Sequence, residues 1–345
     1  MPRSRKPGLA EVAARAGVSL ATVSRALSQP KMLQAETLKR VHEAARELGY
    51  RPNRKASALA SGRSRTVGVA VPTLNSAIFA EALQEIQRTL YEEGYQLLVA
   101  SHEYDPLAES VAIGELVSHG VDGLVVVGGK RPATSWELLR AAEVPLVQVW
   151  EGVPEHDRVI VDNHEAGRLI ARFLIDTGHR SFGVICAHLQ NNDRQQARVD
   201  GIRTALEAHG LELSRTQISE QALSIAAGRA GCMTLLQTVP RPTAIIGTAD
   251  VLAIGAMFEA QGRGLRVPDA LSVAGIDNVD VGPHLSPSLT TVNMPAAEIG
   301  AEAAALMLRR LRDKTDPAAA CVSLPVNLVV RHSTAQPPGV AAAAP

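Results

Sequence analysis

The chain has 345 residues, enough for two or three domains. Hydrophobic residues make up 46% of it and aromatic residues 3%, which is typical of a soluble globular protein with a largely aliphatic core. No apolar run is long enough to span a membrane, and no apolar segment follows the basic residues 1–6. These features exclude a membrane protein and disfavour export, so we expect a cytoplasmic protein.

The formal net charge of zero hides an uneven distribution along the chain. Residues 1–65 contain 14 basic and four acidic residues, a net charge of +10, so the other 280 residues carry −10. A small basic segment joined to a large acidic body is typical of a polyanion-binding module attached to another domain. The charge pattern therefore predicts that the N-terminal segment binds nucleic acid.

Residues 9–27 read as two short helices separated by Gly17, Val18 and Ser19. Gly17 has the backbone freedom that a helix end needs, and Ser19 is a favourable N-cap for the second helix. Apolar residues recur at helical spacing, and the side chains expected to pack between the two helices are Leu9, Val12, Ala13, Ala16, Val23, Ala26 and Leu27.

The outer face of the second helix carries small and polar side chains and one arginine, namely Leu20, Ala21, Thr22, Ser24 and Arg25. An exposed helix face of this kind suits insertion into the major groove of DNA. Two helices joined by a glycine-containing turn can also form an ordinary packed corner. The positive charge of the segment favours the DNA-binding interpretation.

A third helix is predicted over about 35–48, with Gly49 as its stop signal. The basic run 54–62 is prone to form a helix but is too short to be stable alone in water. We therefore expect this run to fold only when DNA or a partner chain holds it.

From residue 66 onwards, strand-like and helix-like segments alternate. The predicted strands are 67–71, 96–100, 123–127, 145–149, 159–161, 182–186, 244–247 and 271–275. The predicted helices are about 77–94, 107–120, 165–178, 194–210, 225–238 and 249–261. Apolar strands joined by helices predict parallel sheets covered on both faces, and about 270 residues suffice for two such units. We expect an α/β body of two doubly wound subdomains with a ligand cleft at the carboxyl ends of their strands.

Cys186, Cys232 and Cys321 are scattered and lack metal-ligand spacing, so we expect three buried thiols and neither a metal site nor a disulfide. The histidines have no nucleophile–base signature around them, and neither a phosphate-binding P-loop nor a GxSxG turn is present. We therefore expect no catalytic residues, no cofactor and no enzymatic activity.

Several motifs resemble those of the LacI family of bacterial transcription repressors. They are Leu9-x-x-Val12-Ala13-x-x-Ala16-Gly17-Val18-Ser19-x-x-Thr22-Val23-Ser24-Arg25, Leu48-Gly49-Tyr50-Arg51-Pro52-Asn53, Ala197-Arg198-x-x-Gly201, Ala249-Asp250-x-x-Ala253 and Gly275-Ile276-Asp277. Within the family, the stretches around Tyr95-Gln96, Val121-Asp122-Gly123 and Phe258-Glu259 are most similar to repressors of gluconate-utilisation operons. The resemblance extends over nearly the whole chain.

The resemblance implies that Leu20 and Ala21 open a recognition helix and touch bases, and that Arg25 reaches a base edge, most simply that of a guanine. It implies phosphate contacts for Ser19, Thr22, Ser24, Asn53 and Arg54. Leu59 matches a hinge leucine that enters the minor groove and kinks the duplex. Leu20 could instead be a core residue, and Leu59 could be an ordinary buried helix residue.

In the body, the resemblance assigns effector binding first to Arg198, whose guanidinium suits a carboxylate or phosphate. A surface salt bridge is the alternative for this residue. Asp277 could accept hydrogen bonds from sugar hydroxyls or cap the next turn. Ile78 and Phe79 lie where the family packs side chains on the ligand, although Phe79, at the start of a helix, could be a core residue.

Three further positions of the effector site depart from the family pattern. Trp150 stands where several sugar repressors carry an acidic residue, Ala249 replaces a frequent polar residue, and Leu223 lies where some members have an aromatic platform. Lys130, together with Arg131, adds positive charge that fits an acidic ligand, or else belongs to a solvated loop. These departures argue against copying the ligand of any one family member.

The expected organisation is a helix-turn-helix domain (1–52), a hinge helix and linker (53–65), an effector-binding body (66–335) and a disordered tail (336–345). Within the body, we expect an N-subdomain at about 66–162 and 294–322 and a C-subdomain at about 163–293 and 323–335. The expected partners are palindromic operator DNA, a sugar-acid effector such as gluconate, and a second copy of the chain in a homodimer. When bound to DNA, the protein would be associated with the nucleoid. The alternative is a cytosolic sugar-binding protein without a role on DNA.

Overall fold

The computed structural model describes residues 7–28, 32–50, 62–313 and 318–338. It divides into two compact units, Met1–Ser64 and Arg65–Pro345. The predicted hinge contacts Asn53, Arg54 and Leu59 lie outside the described residues, as does most of the run 54–62 and of the predicted tail.

The first unit contains α1 (Leu9–Ala16), α2 (Leu20–Ser28) and α3 (Ala35–Glu47). Helix α1 ends as predicted at Gly17, whose φ of 66° lies in the left-handed region that favours glycine. The side chains of Val12, Val23 and Val41, one from each helix, are completely buried against one another. The three helices therefore share a single small aliphatic core.

Helix α3 also fixes the turn between α1 and α2. The Arg40 guanidinium donates hydrogen bonds to the backbone carbonyls of Ala16 and Gly17, at the point where α1 ends. An ion pair of 2.6 Å joins Arg15 of α1 to Glu47 of α3. The position of α2 is therefore held from the side opposite its exposed face.

The second unit contains two six-stranded sheets. The strands are β1 (Thr66–Val71), β2 (Gln96–Ser101), β3 (Gly123–Val127), β4 (Leu146–Trp150), β5 (Asp157–Val161), β6 (Phe182–Ala187), β7 (Ile218–Gln221), β8 (Ala244–Gly247), β9 (Ser272–Asp277), β10 (Thr290–Asn293), β11 (Cys321–Leu324) and β12 (Asn327–Val329). The helices are α4 (Ala77–Glu92), α5 (Pro106–Ser118), α6 (Ala133–Ala141), α7 (Asn163–Asp176), α8 (Asp193–Glu207), α9 (Ile225–Leu235), α10 (Asp250–Gly262) and α11 (Ala296–Arg312).

The sheets define the two predicted subdomains. The N-subdomain sheet has the order β11-β5-β4-β3-β1-β2 and is parallel throughout. The C-subdomain sheet has the order β12-β10-β9-β8-β6-β7, with only the edge strand β12 antiparallel. The chain crosses between the sheets at 162, 294–295 and 325–326. The last crossover lies beyond the expected boundary at 322 because β11 pairs with β5 up to Leu324.

Two glycines allow α7 and α8 to pack with their backbones in close contact. A Cβ at Gly201 would lie 1.9 Å from the carbonyl oxygen of His164, and a Cβ at Gly167 would lie 2.0 Å from that of Arg198. No side chain fits at either position, because the obstructing atoms belong to the backbone. This packing fixes the part of α8 that carries Arg198.

The cysteine prediction is correct for two residues and wrong for the third. Cys186 and Cys232 are buried, and burial raises the pKa of each thiol to about 12. Cys321 is exposed, because it begins the edge strand β11, where its side chain lies on the outer face.

Candidate DNA interface and effector cleft

The outer face of α2 is exposed in the first unit. Leu20 has 53% of its surface exposed, and Ser19, Ala21, Ser24 and Arg25 are exposed as well. Since a core residue would be buried, the core interpretation of Leu20 is wrong within this unit. The predicted reading residues therefore share one accessible helix face.

The start of α2 is fixed by a local hydrogen-bond network. The Ser19 hydroxyl accepts a hydrogen bond from the Thr22 backbone N–H at 3.1 Å and lies 2.8 Å from the Thr22 hydroxyl. Ser19 is thus the N-cap that its residue type predicts. Further along the helix, Arg25 Nε donates to the Ala21 carbonyl at 3.3 Å, which holds its side chain along this face. The resulting small, polar surface allows a close approach to base edges.

A cleft of about 640 Å³ lies between the two subdomains of the second unit, at the carboxyl ends of the strands. Six of the eight effector residues predicted from the sequence line this cleft: Ile78, Phe79, Arg198, Leu223, Ala249 and Asp277. The N-subdomain contributes the first two, and the C-subdomain contributes the others. Both subdomains can therefore contact one small molecule.

Arg198 is almost completely buried and joins several elements of the cleft. Its Nη1 donates to Asp277 Oδ1 at 3.0 Å and to the Thr248 carbonyl at 2.7 Å, and its Nε donates to Asn163 Oδ1 at 3.0 Å. The surface salt-bridge interpretation is wrong, because the partner Asp277 is buried as well. Asn163 in turn donates from Nδ2 to Glu151 Oε1 at 3.1 Å, which connects this network to the end of β4.

A second buried carboxylate, Asp250, shapes the loop that follows β9. Its Oδ2 accepts a hydrogen bond from the Val279 backbone N–H at 2.9 Å, and its Oδ1 accepts one from the Thr291 hydroxyl at 2.6 Å. Burial and the neighbouring Asp277 raise the pKa of Asp250 well above its usual range. Burial also raises the pKa of Asp277, against the opposing effect of Arg198. The carboxyl group of Asp250 thus holds the loop, while the carboxyl group of Asp277 accepts a hydrogen bond from Arg198.

Two predicted effector residues do not line the cleft. Trp150 is 2% exposed, and its ring packs edge to face against Phe79 with a centroid distance of 4.8 Å. The indole is large and apolar, so it lies in the core and packs against the side of Phe79 that faces away from the cleft. Lys130 is exposed and lines a separate, smaller cavity of about 250 Å³ in the N-subdomain side of the body.

The structure also brings residues into the cleft that the sequence argument missed. Tyr104 follows β2 and lines the cleft together with Arg194, and burial raises the pKa of its hydroxyl, which the charge of Arg194 partly opposes. Arg194 lies one helical turn before Arg198, so their i, i+4 spacing on α8 was a usable signal. Asn192 and Gln195 line the cleft at the start of the same helix.

The cleft combines a polar end with an apolar wall. The polar end contains Arg194 and Arg198 and the acidic residues Glu103, Asp277 and Asp280. The apolar wall consists of Leu223, Ile225, Val251, Ile254, Val279 and Val281. Such a site can orient a small molecule that has an anionic group and hydroxyls on one side and carbon-bound hydrogens on the other. In the described part of the chain, no helix has the length and apolarity that crossing a membrane requires.

Comparisons with known proteins agree with both units. Residues 8–53 match the bacterial regulatory proteins of the lacI family, and residues 171–334 match the periplasmic binding protein-like domain. The chain is 31% identical to the transcriptional regulator DegA of Bacillus subtilis, over 95% of this chain and 98% of DegA. It is 30% identical to the regulator GntR of Escherichia coli K12, over 91% of this chain and 94% of GntR.

A solved structure of the lac repressor dimer, bound to operator and the anti-inducer ONPF, has the same fold. The TM-score is 0.83 at 26% identity, covering 96% of this chain and 100% of that one. Similarity of this extent covers the helix-turn-helix and both sheets together. The chain therefore belongs to the LacI family of DNA-binding transcriptional regulators.

Proposed function

We propose that this regulator is a repressor whose affinity for a palindromic operator is controlled by a small sugar acid, with gluconate as the first candidate. The observation that carries the proposal is the buried Arg198–Asp277 pair in a cleft lined by both subdomains. A guanidinium favours a carboxylate, and an aspartate accepts hydrogen bonds from hydroxyls. A sugar acid has both groups on one small molecule.

Control of DNA binding would follow from closure of the cleft. A ligand that contacts Phe79 of one subdomain and Arg198 of the other stabilises the arrangement in which both can reach it. A useful change in operator occupancy requires a coupling free energy of about 1–3 kcal/mol between the two sites. We propose that closure moves the two halves of a homodimer and separates the hinge segments that contain Leu59.

The proposed reading of the operator uses the exposed face of α2. Arg25 would pair with both acceptors of a guanine, while Leu20 and Ala21 would select by shape and by contact with a thymine methyl. Phosphate contacts are proposed for Ser19, Thr22, Ser24, Asn53 and Arg54. Two such heads on a twofold axis suit a palindromic site.

The central experiment measures operator affinity with and without gluconate and a panel of related sugar acids. We expect Arg198→Ala to retain DNA binding and to lose the response to effector. Because this change leaves Asp277 without its partner, Arg198→Lys keeps a cation there and serves as a second variant. Arg203→Ala, on the same helix with a more exposed side chain, is the matched control. No effect of any acid on operator affinity would remove effector control.

Two further measurements test the assembly and the DNA role. Sedimentation should show a dimer, and a stable tetramer would contradict the proposal. A salt titration of operator binding should show a steep loss of affinity, because bound phosphates release counterions. No binding at low salt would instead support the sugar-binding alternative.

A further inference from the structure

The smaller cavity of about 250 Å³ beside the effector cleft is lined by an unusual set of polar side chains. They include His102, Glu109, Lys130 and Arg131, and the cavity shares Tyr104 and Arg194 with the cleft. A ligand in the cleft could therefore extend a substituent past these two shared residues. We refer to this cavity as the side pocket.

Two side chains of the side pocket have buried polar atoms without hydrogen-bond partners. In the part of the chain that the structure describes, Nδ1 of His102 and Nε and Nη1 of Arg131 have no hydrogen-bond partner, although Nη1 lies within ion-pair distance of Glu109. His102 is 9% exposed and the Arg131 side chain is fully buried. Buried polar groups are almost always paired, since leaving them unpaired is costly. Because Nε and Nη1 of Arg131 are donors, the side pocket lacks an acceptor that a ligand can supply.

One of the three cations around the side pocket has no ion-pair partner among the described residues. Arg131 lies 3.7 Å from Glu109, and Arg194 lies 2.9 Å from the carboxylate of Asp193. The exposed Lys130 has no ion pair within the described ranges of the chain.

Asp105, the other carboxylate of the side pocket, is engaged in capping α5. It accepts hydrogen bonds from the backbone N–H groups of Leu107 and Ala108 at 2.7 and 3.0 Å. Burial first, and then Arg194 and Arg131, lower the pKa of His102 to about 4, and Asp105 only partly opposes them. The imidazole is thus neutral at pH 7 in a positive environment.

We propose that the side pocket binds a phosphate monoester carried by the effector. This proposal rests on the proposed function. The acid group of the ligand would occupy the cleft near Arg198, while its phosphate would lie among Lys130, Arg131 and His102. A phosphate offers several acceptor oxygens in different directions, which matches donors that converge from separate elements. The effector of this chain is then a phosphorylated sugar acid.

Calorimetric titration of the full chain with gluconate and with its 6-phosphate tests this proposal, because the two ligands differ by that one group. We expect the phosphorylated acid to bind at least about 10-fold more tightly, a difference of about 1.4 kcal/mol. Lys130→Ala should remove most of the difference. Arg140→Ala, an exposed arginine of the same subdomain that lines neither cavity, should leave both affinities unchanged.

A second readout uses inorganic phosphate alone and follows the imidazole of His102 by NMR. Phosphate in the side pocket should raise the pKa of His102 from its low value, because a nearby anion favours the charged imidazolium. Equal affinities for the two acids, or an unchanged pKa of His102, would overturn the phosphate subsite. If gluconate binds without any preference for its phosphate, only the subsite is wrong. If neither acid binds, both the phosphate subsite and the proposed sugar-acid effector are wrong.

Discussion

The Asp193 carboxylate accepts a hydrogen bond of 2.8 Å from the backbone N–H of Gly129, across the cleft from its own subdomain. The N–H of Lys130 donates to the same oxygen at 3.1 Å. Asp193 begins α8 in the C-subdomain, whereas Gly129 follows β3 in the N-subdomain. Gly128 has a φ of 80°, and a Cβ there would lie 2.5 Å from Arg194 Nη1. The two subdomains are therefore linked by a side chain as well as by the three crossovers.

Removal of this link should make the body open more easily. Hydrogen bonds to a charged group contribute about 1.5–3 kcal/mol each, and partial exposure of Asp193 reduces their effect. We expect Asp193→Ala to lower the free energy of opening by about 1–3 kcal/mol. Small-angle scattering of the ligand-free protein should then show a larger radius of gyration. Asp193→Asn keeps one acceptor and should be intermediate, and identical scattering of all three proteins would show that the link is inconsequential.

The surroundings of Gly201 and Gly262 predict opposite effects of glycine-to-alanine changes at these two positions. Gly201→Ala should lower the free energy of unfolding by about 3 kcal/mol, because its Cβ meets backbone. Gly262→Ala, at the end of α10 with open space around it, should raise that free energy by about 0.5–1 kcal/mol. Urea denaturation measures both. A Gly201→Ala variant that is as stable as the wild type would refute the close packing of α7 and α8.

Arg25 is expected to carry most of the polar sequence discrimination. Arg25→Ala should weaken operator binding by about 1–3 kcal/mol and should affect a scrambled duplex much less, because a bidentate pair to a base distinguishes sequences. Fluorescence anisotropy at one fixed salt concentration measures both affinities. Arg88→Ala, an exposed arginine on α4 of the body, is the control. An equal loss on both duplexes would assign Arg25 to phosphate binding.

The buried Asp250 predicts a pH dependence of stability. Its pKa is raised in the folded chain. At a pH between the unfolded and the folded pKa, the folded state therefore binds a proton that the unfolded state has released. Stability from this residue is therefore present near pH 4, where an unfolded aspartate titrates, and declines as pH rises towards the raised pKa.

Asp250→Asn should flatten this decline, as measured by urea denaturation across that pH range. The substitution also replaces one of the two accepting oxygens by an NH₂ donor, so the slope against pH is the informative quantity rather than the absolute stability. Asp176→Asn, at the exposed end of α7, is a control that should keep the wild-type slope. A variant slope equal to that of wild type would show that Asp250 is ionised throughout.

Local sequence signals were sufficient for the parts of the molecule that depend on neighbouring residues. The turn at Gly17, the cap at Ser19 and the exposed face of α2 follow from helix periodicity and end signals. Arg198 and Asp277 were identified from motifs, and the structure places them 3.0 Å apart. The contacts of Asn53, Arg54 and Leu59 remain predictions, because these residues lie outside the described ranges.

Features that depend on long-range packing were missed. Trp150 was expected in the cleft, but only the fold shows that Phe79 lies in front of it. The short edge strands β11 and β12 have half-exposed side chains, so they lack the apolar run that marks the central strands. Helix α11 is absent from the predicted helices, although its alanine-rich sequence favours a helix and residues 294–322 are expected in the N-subdomain; in the structure it packs against α4.

The tight packing at Gly167 and Gly201 has a mechanical consequence for signalling. Helices α7 and α8 have no room to slide past each other, so we expect them to move as one rigid body. Arg198 donates a hydrogen bond to Asn163, which is the first residue after the crossover at 162. A ligand that displaces this guanidinium would therefore act directly on one of the three crossovers that join the subdomains.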